Sequence, residues 1–264
     1  MFRYEMRRMS GAYALIFFLI FVLCYFSDKS LMRLIEPFDK GITDAIYRMF
    51  QPPFLSMIIA PMFAVVNLGL ALREKDGSYI TRFRSRADYW AKIVFQLVQH
   101  SFFYAVAVVA VCLLAAALTI PWTNEWTRES GFVFYNVQNT MLEEVWKSES
   151  WRFSVPVVVI MAILTGWMTF LAAGITVHVI SMLLNSKILA LGLLVLIAIC
   201  DTYLSFVSII FRYSFLSLTY WFDWVTYLIS VIYLVVFSFI MYLIGGYIVK
   251  SRDYLALHRW NAEE

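Results

Sequence analysis

Residues 73–93, REKDGSYITRFRSRADYWAKI, carry nine charged side chains in their first twenty positions and lie between two runs that are almost wholly apolar. An Arg, Lys or Asp at the centre of a spanning helix costs roughly 2.5–3.5 kcal/mol on insertion scales, so nine such charges would cost on the order of 25 kcal/mol. This stretch must therefore lie outside hydrocarbon, while the runs that flank it are free to lie within it. The fold follows from where else the sequence alternates in the same way.

The chain has 264 residues and is 62% hydrophobic, well above the roughly half-apolar composition of globular domains. At about 1.5 Å of rise per residue, an apolar run of about 17 residues or more is long enough to cross a hydrocarbon core about 30 Å thick. Six runs qualify: 11–27, 54–72, 93–120, 153–184, 188–211 and 224–249. The sequence thus predicts an all-α polytopic membrane protein with one transmembrane domain over residues 1–264. The first run follows a basic start, MFRYEMRR, but it is long for a secretory core and no small-x-small cleavage pattern follows it, so it reads as a retained span. Counted with the N-terminus inside, inner segments hold 13 Lys and Arg against 7 acids, and outer segments hold 8 against 10. This bias places both termini in the cytosol of a multi-pass protein of the cell membrane, with a bacterial plasma membrane as the expected setting. A net charge of +3 gives no reason to invoke nucleic acid. Cys24, Cys112 and Cys200 fall inside apolar runs at unrelated spacings, which fits packing rather than a disulfide framework or a metal knuckle.

The segments between spans carry their own periodicity. In residues 1–10, Phe2, Met6 and Met9 recur at helical spacing opposite Arg3, Arg7 and Arg8, as in a short helix lying among lipid headgroups or a positive anchor that sets topology. Leu31, Leu34, Ile35, Phe38, Ile42 and Ile46 predict an amphipathic outer helix over 30–50, bent near Pro37 and ended by Pro52 and Pro53. Phe134, Val137, Met141, Leu142 and Val145 predict a second outer helix at the interface. The last outer connection, FRYSFLSLTYWFD, is rich in aromatics, as expected of residues at headgroup depth.

Within the charged connector, KDGS is a turn signal, with Gly77 free to take positive φ and Ser78 placed to cap a following helix. Tyr79, Ile80 and Phe83 then form a small apolar patch ringed by Arg82, Arg84, Arg86 and Asp88, and YWAK brings aromatics and Lys92 to the start of the third span. A short capped amphipathic helix beyond the membrane has no apolar partner within the connector, so it is built to dock on a cytosolic protein. In this layout, and in Glu74, Gly77, Arg84, Ser85, Arg86, Tyr89 and Lys92, the chain resembles the type-2 ABC exporter permeases, the membrane subunits that pair with separate ATP-binding-cassette ATPases. The resemblance implies that residues 73–92 are a coupling helix seated on an ATPase, with Glu74, Gly77, Ser78, Tyr79, Ile80, Phe83, Arg84 and Arg86 at the contact. It also implies two permeases, identical or paralogous, and two ATPases that bind ATP and Mg. No GxxxxGKS or GxxxxGKT occurs in the chain, so it has no Walker-type phosphate cradle and no expected cofactor of its own. With 18% aromatic residues and no charged path, the expected cargo is hydrophobic or amphipathic: a peptide, a drug or a lipid.

Polar residues inside the apolar runs are the remaining candidates. Asp201 is the single carboxylate well within a run, with Ser205 and Ser208 following on its face, and Lys92, Gln96, Gln99 and His100 form a polar stripe at the start of span three. Such residues either line a translocation path or bond neighbouring helices, and packing is the more economical reading. Two rival functions remain. MLEEVWK, residues 141–147, resembles the paired glutamates of membrane-embedded CAAX-processing proteases, but no arginine follows Glu143 and Glu144, and the later histidines, His178 and His258, are remote. A membrane immunity or assembly protein without an ATPase would share the span layout.

Overall fold

A computed structural model describes residues 2–33, 37–74, 85–204 and 209–251, with backbone alone for 2–10 and 69–74. The described residues form helices and turns without a β-strand, apart from an isolated bridge between Asp39 and Gly131. The helices are α1 (Phe2–Arg33), α2 (Ile42–Met49), α3 (Ala60–Glu74, entered from a π-helical turn over Phe54–Ile59), α4 (Arg86–Ala117), α5 (Phe132–Val137) and α6 (Leu142–Ser148). After them come α7 (Val155–Leu184), α8 (Lys187–Tyr203), α9 (Thr219–Phe222) and α10 (Trp224–Ser251).

Among the described residues, four helices are long and apolar enough to cross a membrane: Gly11–Arg33, Arg86–Ala117, Val155–Leu184 and Trp224–Ser251. A fifth crossing forms if Ile42–Met49 and Phe54–Leu68, bent by 56°, count as one. The chain is therefore all-helical and has the composition of a multi-pass membrane protein. The predicted fifth span, 188–211, is shorter in the structure: α8 has 17 residues and stops at Tyr203. The reason is local. Asp201 Oδ1 accepts the Ile209 amide at 2.8 Å, and Oδ2 accepts those of Ile210 and Phe211 at 2.6 and 2.7 Å, so its carboxylate folds the chain back into a 3₁₀ turn at Phe211–Tyr213.

α7 runs through the centre and packs on α3, α4, α8 and α10. Its buried small residues allow this, because they bring neighbouring side chains down to the helix backbone. A Cβ on Gly166 would lie 3.1 Å from the Phe50 ring, and one on Gly174 would lie 3.1 Å from Phe63 and 3.3 Å from Leu97. The connection from α7 to α8 is only Asn185, in the left-handed region at φ 52°, and Ser186, whose hydroxyl accepts the Leu189 amide. Lys187 then donates to the Leu68 carbonyl of α3 at 2.9 Å.

The segments predicted as outer helices depart from that prediction. The expected helix over 30–50 is broken: α1 continues to Arg33, residues 37–41 are not helical, and α2 starts afresh at Ile42. Asp44 explains the restart, since its Oδ2 accepts the Gly41 amide at 2.8 Å at the helix N-terminus. The second expected helix is also two, α5 and α6, divided at Asn139, which takes φ 63° while its amide donates to Glu143 Oε2. Nor does residue 10 end a separate N-terminal helix, because α1 is continuous from Phe2. These pieces close into a packed cap. Trp126, fully buried, donates from Nε1 to Asp44 Oδ1 at 2.7 Å, accepts Trp146 Nε1 on its carbonyl at 3.0 Å, and stands edge-on to Trp221 at 4.9 Å. Phe211, Leu216 and Trp221 of the last connection are buried in the cap.

Trp126→Ala removes a fully buried indole and leaves Asp44 Oδ1 without its donor. The expected cost is about 3–5 kcal/mol, read as a clearly lowered melting temperature of the detergent-solubilised protein. Trp122→Ala, at a site 65% exposed, should leave the melting temperature unchanged. Equal melting of the two variants would contradict the packed cap.

Candidate functional site

The charged connector leads into α4, and the described part of that junction is tied to the end of the last helix. Ser85 caps α4, its hydroxyl accepting the Asp88 amide at 3.0 Å. One turn later, Trp90 is buried against α10: its Nε1 donates to the Tyr242 carbonyl at 2.8 Å, and its ring lies over Gly245 and Gly246. A Cβ on Gly245 would fall 2.2 Å from Trp90 Cζ2, so only glycine admits the indole there. Arg86 adds a second tie, donating from Nη1 to the Lys250 carbonyl at 3.0 Å near the C-terminus of α10, where the helix dipole favours a cation. Tyr89, Trp90, Ile93 and Leu97 pack with Leu171, Ile175, Val179, Ile248 and Val249 into a second core, separate from the main one. Tyr89 and Trp90, the aromatics read from the sequence at the start of the third span, are both buried between helices.

Of the predicted coupling residues, Arg86 is placed by the contact just given. Glu74 ends α3 as described backbone, and Gly77, Ser78, Tyr79, Ile80, Phe83 and Arg84 lie outside the described residues. The polar stripe divides. Lys92 is exposed, with its ammonium 6.0 Å from the Phe95 ring, and Gln99 is exposed, whereas Gln96 is half-buried. His100 Nδ1 lies 3.3 Å from Asn67 Oδ1, and buried Asn67 donates to the Phe63 carbonyl, so these two residues bond α4 to α3. Asp201 is committed to three backbone amides, and Thr202 bonds Ser56 at 3.1 Å, which makes this end of α8 a structural clasp; Ser205 and Ser208 lie outside the described residues.

The sequence reading missed Asp28. It follows the first apolar run, so its SDKS context read as the start of an outer segment, yet the carboxylate is 1% exposed and its Oδ2 has no hydrogen-bond partner. Arg48 on α2 faces it and donates to the adjacent Ser27 carbonyl at 3.2 Å. Continuing the buried face from Ile20 through Cys24 at a helical period reaches Ser27 and Asp28, a signal that was present in the sequence. A buried ionisable residue in a membrane helix is a functional candidate with its partner named.

The glutamate pair is placed on α6 in the cap. Hydrogen bonds from Lys147 and the Asn139 amide hold the Glu143 carboxyl below its ordinary range. Among the described residues no three His, Cys, Asp or Glu side chains converge as metal ligands. Comparison with known proteins gives no matching family model, no matching curated protein and no matching solved structure.

Gly245→Ala should force the Trp90 ring off α10 at a cost of about 1–3 kcal/mol, measured as a lower melting temperature. Combined with Trp90→Ala, the loss should be clearly less than the sum of the two single losses, because the second change removes the clash. Additive losses would mean that the two residues do not meet.

Proposed function

We propose that this chain is the membrane-spanning permease subunit of an ABC exporter, moving a hydrophobic or amphipathic substrate outward with energy from a separate ATPase. In this reading α1, α3, α4, α7, α8 and α10 are six crossings of the cell membrane, and both termini and the connector 73–92 face the cytosol. α8 rises only about 25 Å, which local thinning of the bilayer accommodates. The ATPase pair binds ATP and Mg, a second permease completes the dimer, and this chain contributes no catalytic residue.

One observation carries the reading: the start of α4, directly after the charged connector, is fastened to the end of α10 by Trp90 on Gly245 and by Arg86 on the Lys250 carbonyl. A force that reaches Arg86 and Trp90 at the start of α4 is then passed to the last helix through these contacts. Such a link is what a subunit driven from below requires, and it has no evident use in a protein whose chemistry lies in the outer cap.

The test is recovery of the partner. Chain purified from its native membrane in mild detergent should bring with it an ATPase carrying GxxxxGKS or GxxxxGKT. In the reconstituted complex, Arg84→Glu with Arg86→Glu should cut transport at least tenfold while ATP hydrolysis continues. A chain that purifies alone, and whose paired charge reversal leaves its cellular phenotype intact, points to the immunity or assembly reading. A metal-dependent peptidase activity lost in Glu143→Gln would point to the protease.

A further inference from the structure

Three sulfur-bearing side chains meet inside the bundle where α1, α2 and α4 come together. Cys24 of α1, Met49 at the end of α2 and Cys112 of α4 are 0, 2 and 2% exposed. The Cys24 thiol donates to Met49 Sδ at 3.6 Å, and the Cys112 thiol hydrogen-bonds Cys24. Because the three come from separate helices, no local spacing in the sequence reveals the group.

A buried cysteine on its own behaves as a small apolar residue. Two features set this group apart. Sulfurs that share one cation at about 2.3 Å stand about 3.7–4.0 Å from each other, and Cys24 and Met49 are already close to that spacing. The second feature is Asp28, one helical turn beyond Cys24 on α1. It is buried, its Oδ2 has no hydrogen-bond partner, and its charge acts on Cys112. Arg48, the neighbour of Met49 on α2, faces the same carboxylate. The sulfurs thus lie beside a buried acid and base rather than in wholly apolar surroundings.

The geometry points to a binding site for a soft monovalent cation, Cu⁺, held by Cys24 and Cys112 as thiolates and by Met49 as a thioether. Thiolate and thioether donors favour Cu⁺ over harder ions. A structural Zn²⁺ site takes four ligands, whereas no three His, Cys, Asp or Glu side chains converge among the described residues, so the sulfur trio suits an ion of low coordination number. Loading breaks two S–H bonds and makes two Cu–thiolate bonds and one Cu–thioether bond, and copper stays Cu⁺ throughout. One proton passes to Asp28 and the other leaves to water. One positive charge therefore enters as another departs, and the buried group keeps its net charge, which a low-dielectric interior requires. The exporter reading plays no part in this inference.

The test is an anaerobic titration of the full chain in dodecyl maltoside with Cu⁺ buffered by bicinchoninate. One Cu⁺ per chain should be withdrawn from the chelator, and Zn²⁺ should bind at least a hundredfold more weakly. Cys112→Ala should weaken Cu⁺ retention at least a hundredfold and Met49→Leu, a change of similar volume, at least threefold, whereas Cys200→Ala on α8 should leave it unchanged. X-ray absorption of the loaded, unsubstituted chain gives a reading that does not depend on any variant folding: the copper should show a first shell of sulfur alone at about 2.3 Å. No copper taken from the chelator, Zn²⁺ held as tightly as Cu⁺, nitrogen or oxygen in the first shell, retention undiminished in Cys112→Ala, or an equal loss in Cys200→Ala overturns the proposal.

Discussion

α7 holds α3, α4, α8 and α10 together, and it can be central only because so many of its inward positions are small. In lipid, helices gain nothing from hiding apolar surface from water, so close approach and shared hydrogen bonds must hold them. The Phe50 and Phe63 rings lie at Gly166 and Gly174, and Thr165 meets the Tyr227 hydroxyl of α10 at 3.4 Å. A larger side chain at either glycine would press on a ring that itself comes from another element. The positions of α3, α4 and α10 are thus set by the absence of atoms on α7 as much as by their presence elsewhere.

The two ends of the bundle solve different problems. At the end that carries the cap, short helices that could not persist alone are fixed by buried donors and acceptors: Asp44 with Gly41 and Trp126, Trp146 with the Trp126 carbonyl, Asp201 with three amides. At the opposite end, Trp90 lies on Gly245 and bonds the Tyr242 carbonyl, and Arg86 bonds the Lys250 carbonyl, so that α4 and α10 are joined directly. The cap is built as a small folded unit, and the opposite end as a joint between long helices.

The apolar runs were legible because hydrocarbon imposes a length and a composition on any helix that crosses it. That constraint gave the all-helical class and the long helices α1, α4, α7 and α10. It did not give the ends. Residues 93–120 read as a span, but α4 begins at Arg86 because Ser85 caps it and Trp90 has a glycine to lie on, a pairing across 155 positions that no local pattern carries. The outer helices were misjudged for a related reason: periodicity at Leu31 to Ile46 was real, but Asp44 and Asn139 set helix boundaries through contacts that periodicity does not contain. Asp201 stood out in sequence and proves to be a clasp, whereas Asp28, hidden at the edge of a run, is a buried carboxylate with an oxygen that makes no hydrogen bond.

The turn between α7 and α8 has a mechanical meaning. Two residues join the helices, one of them in a left-handed conformation, and the first lysine of α8 is pinned to the Leu68 carbonyl. This leaves no slack at that end, so the pair can pivot about the turn like compass legs but cannot slide past one another. Any change in their separation is therefore greatest at the far tips, where Asp201 and the folded cap either hold them together or let them spread.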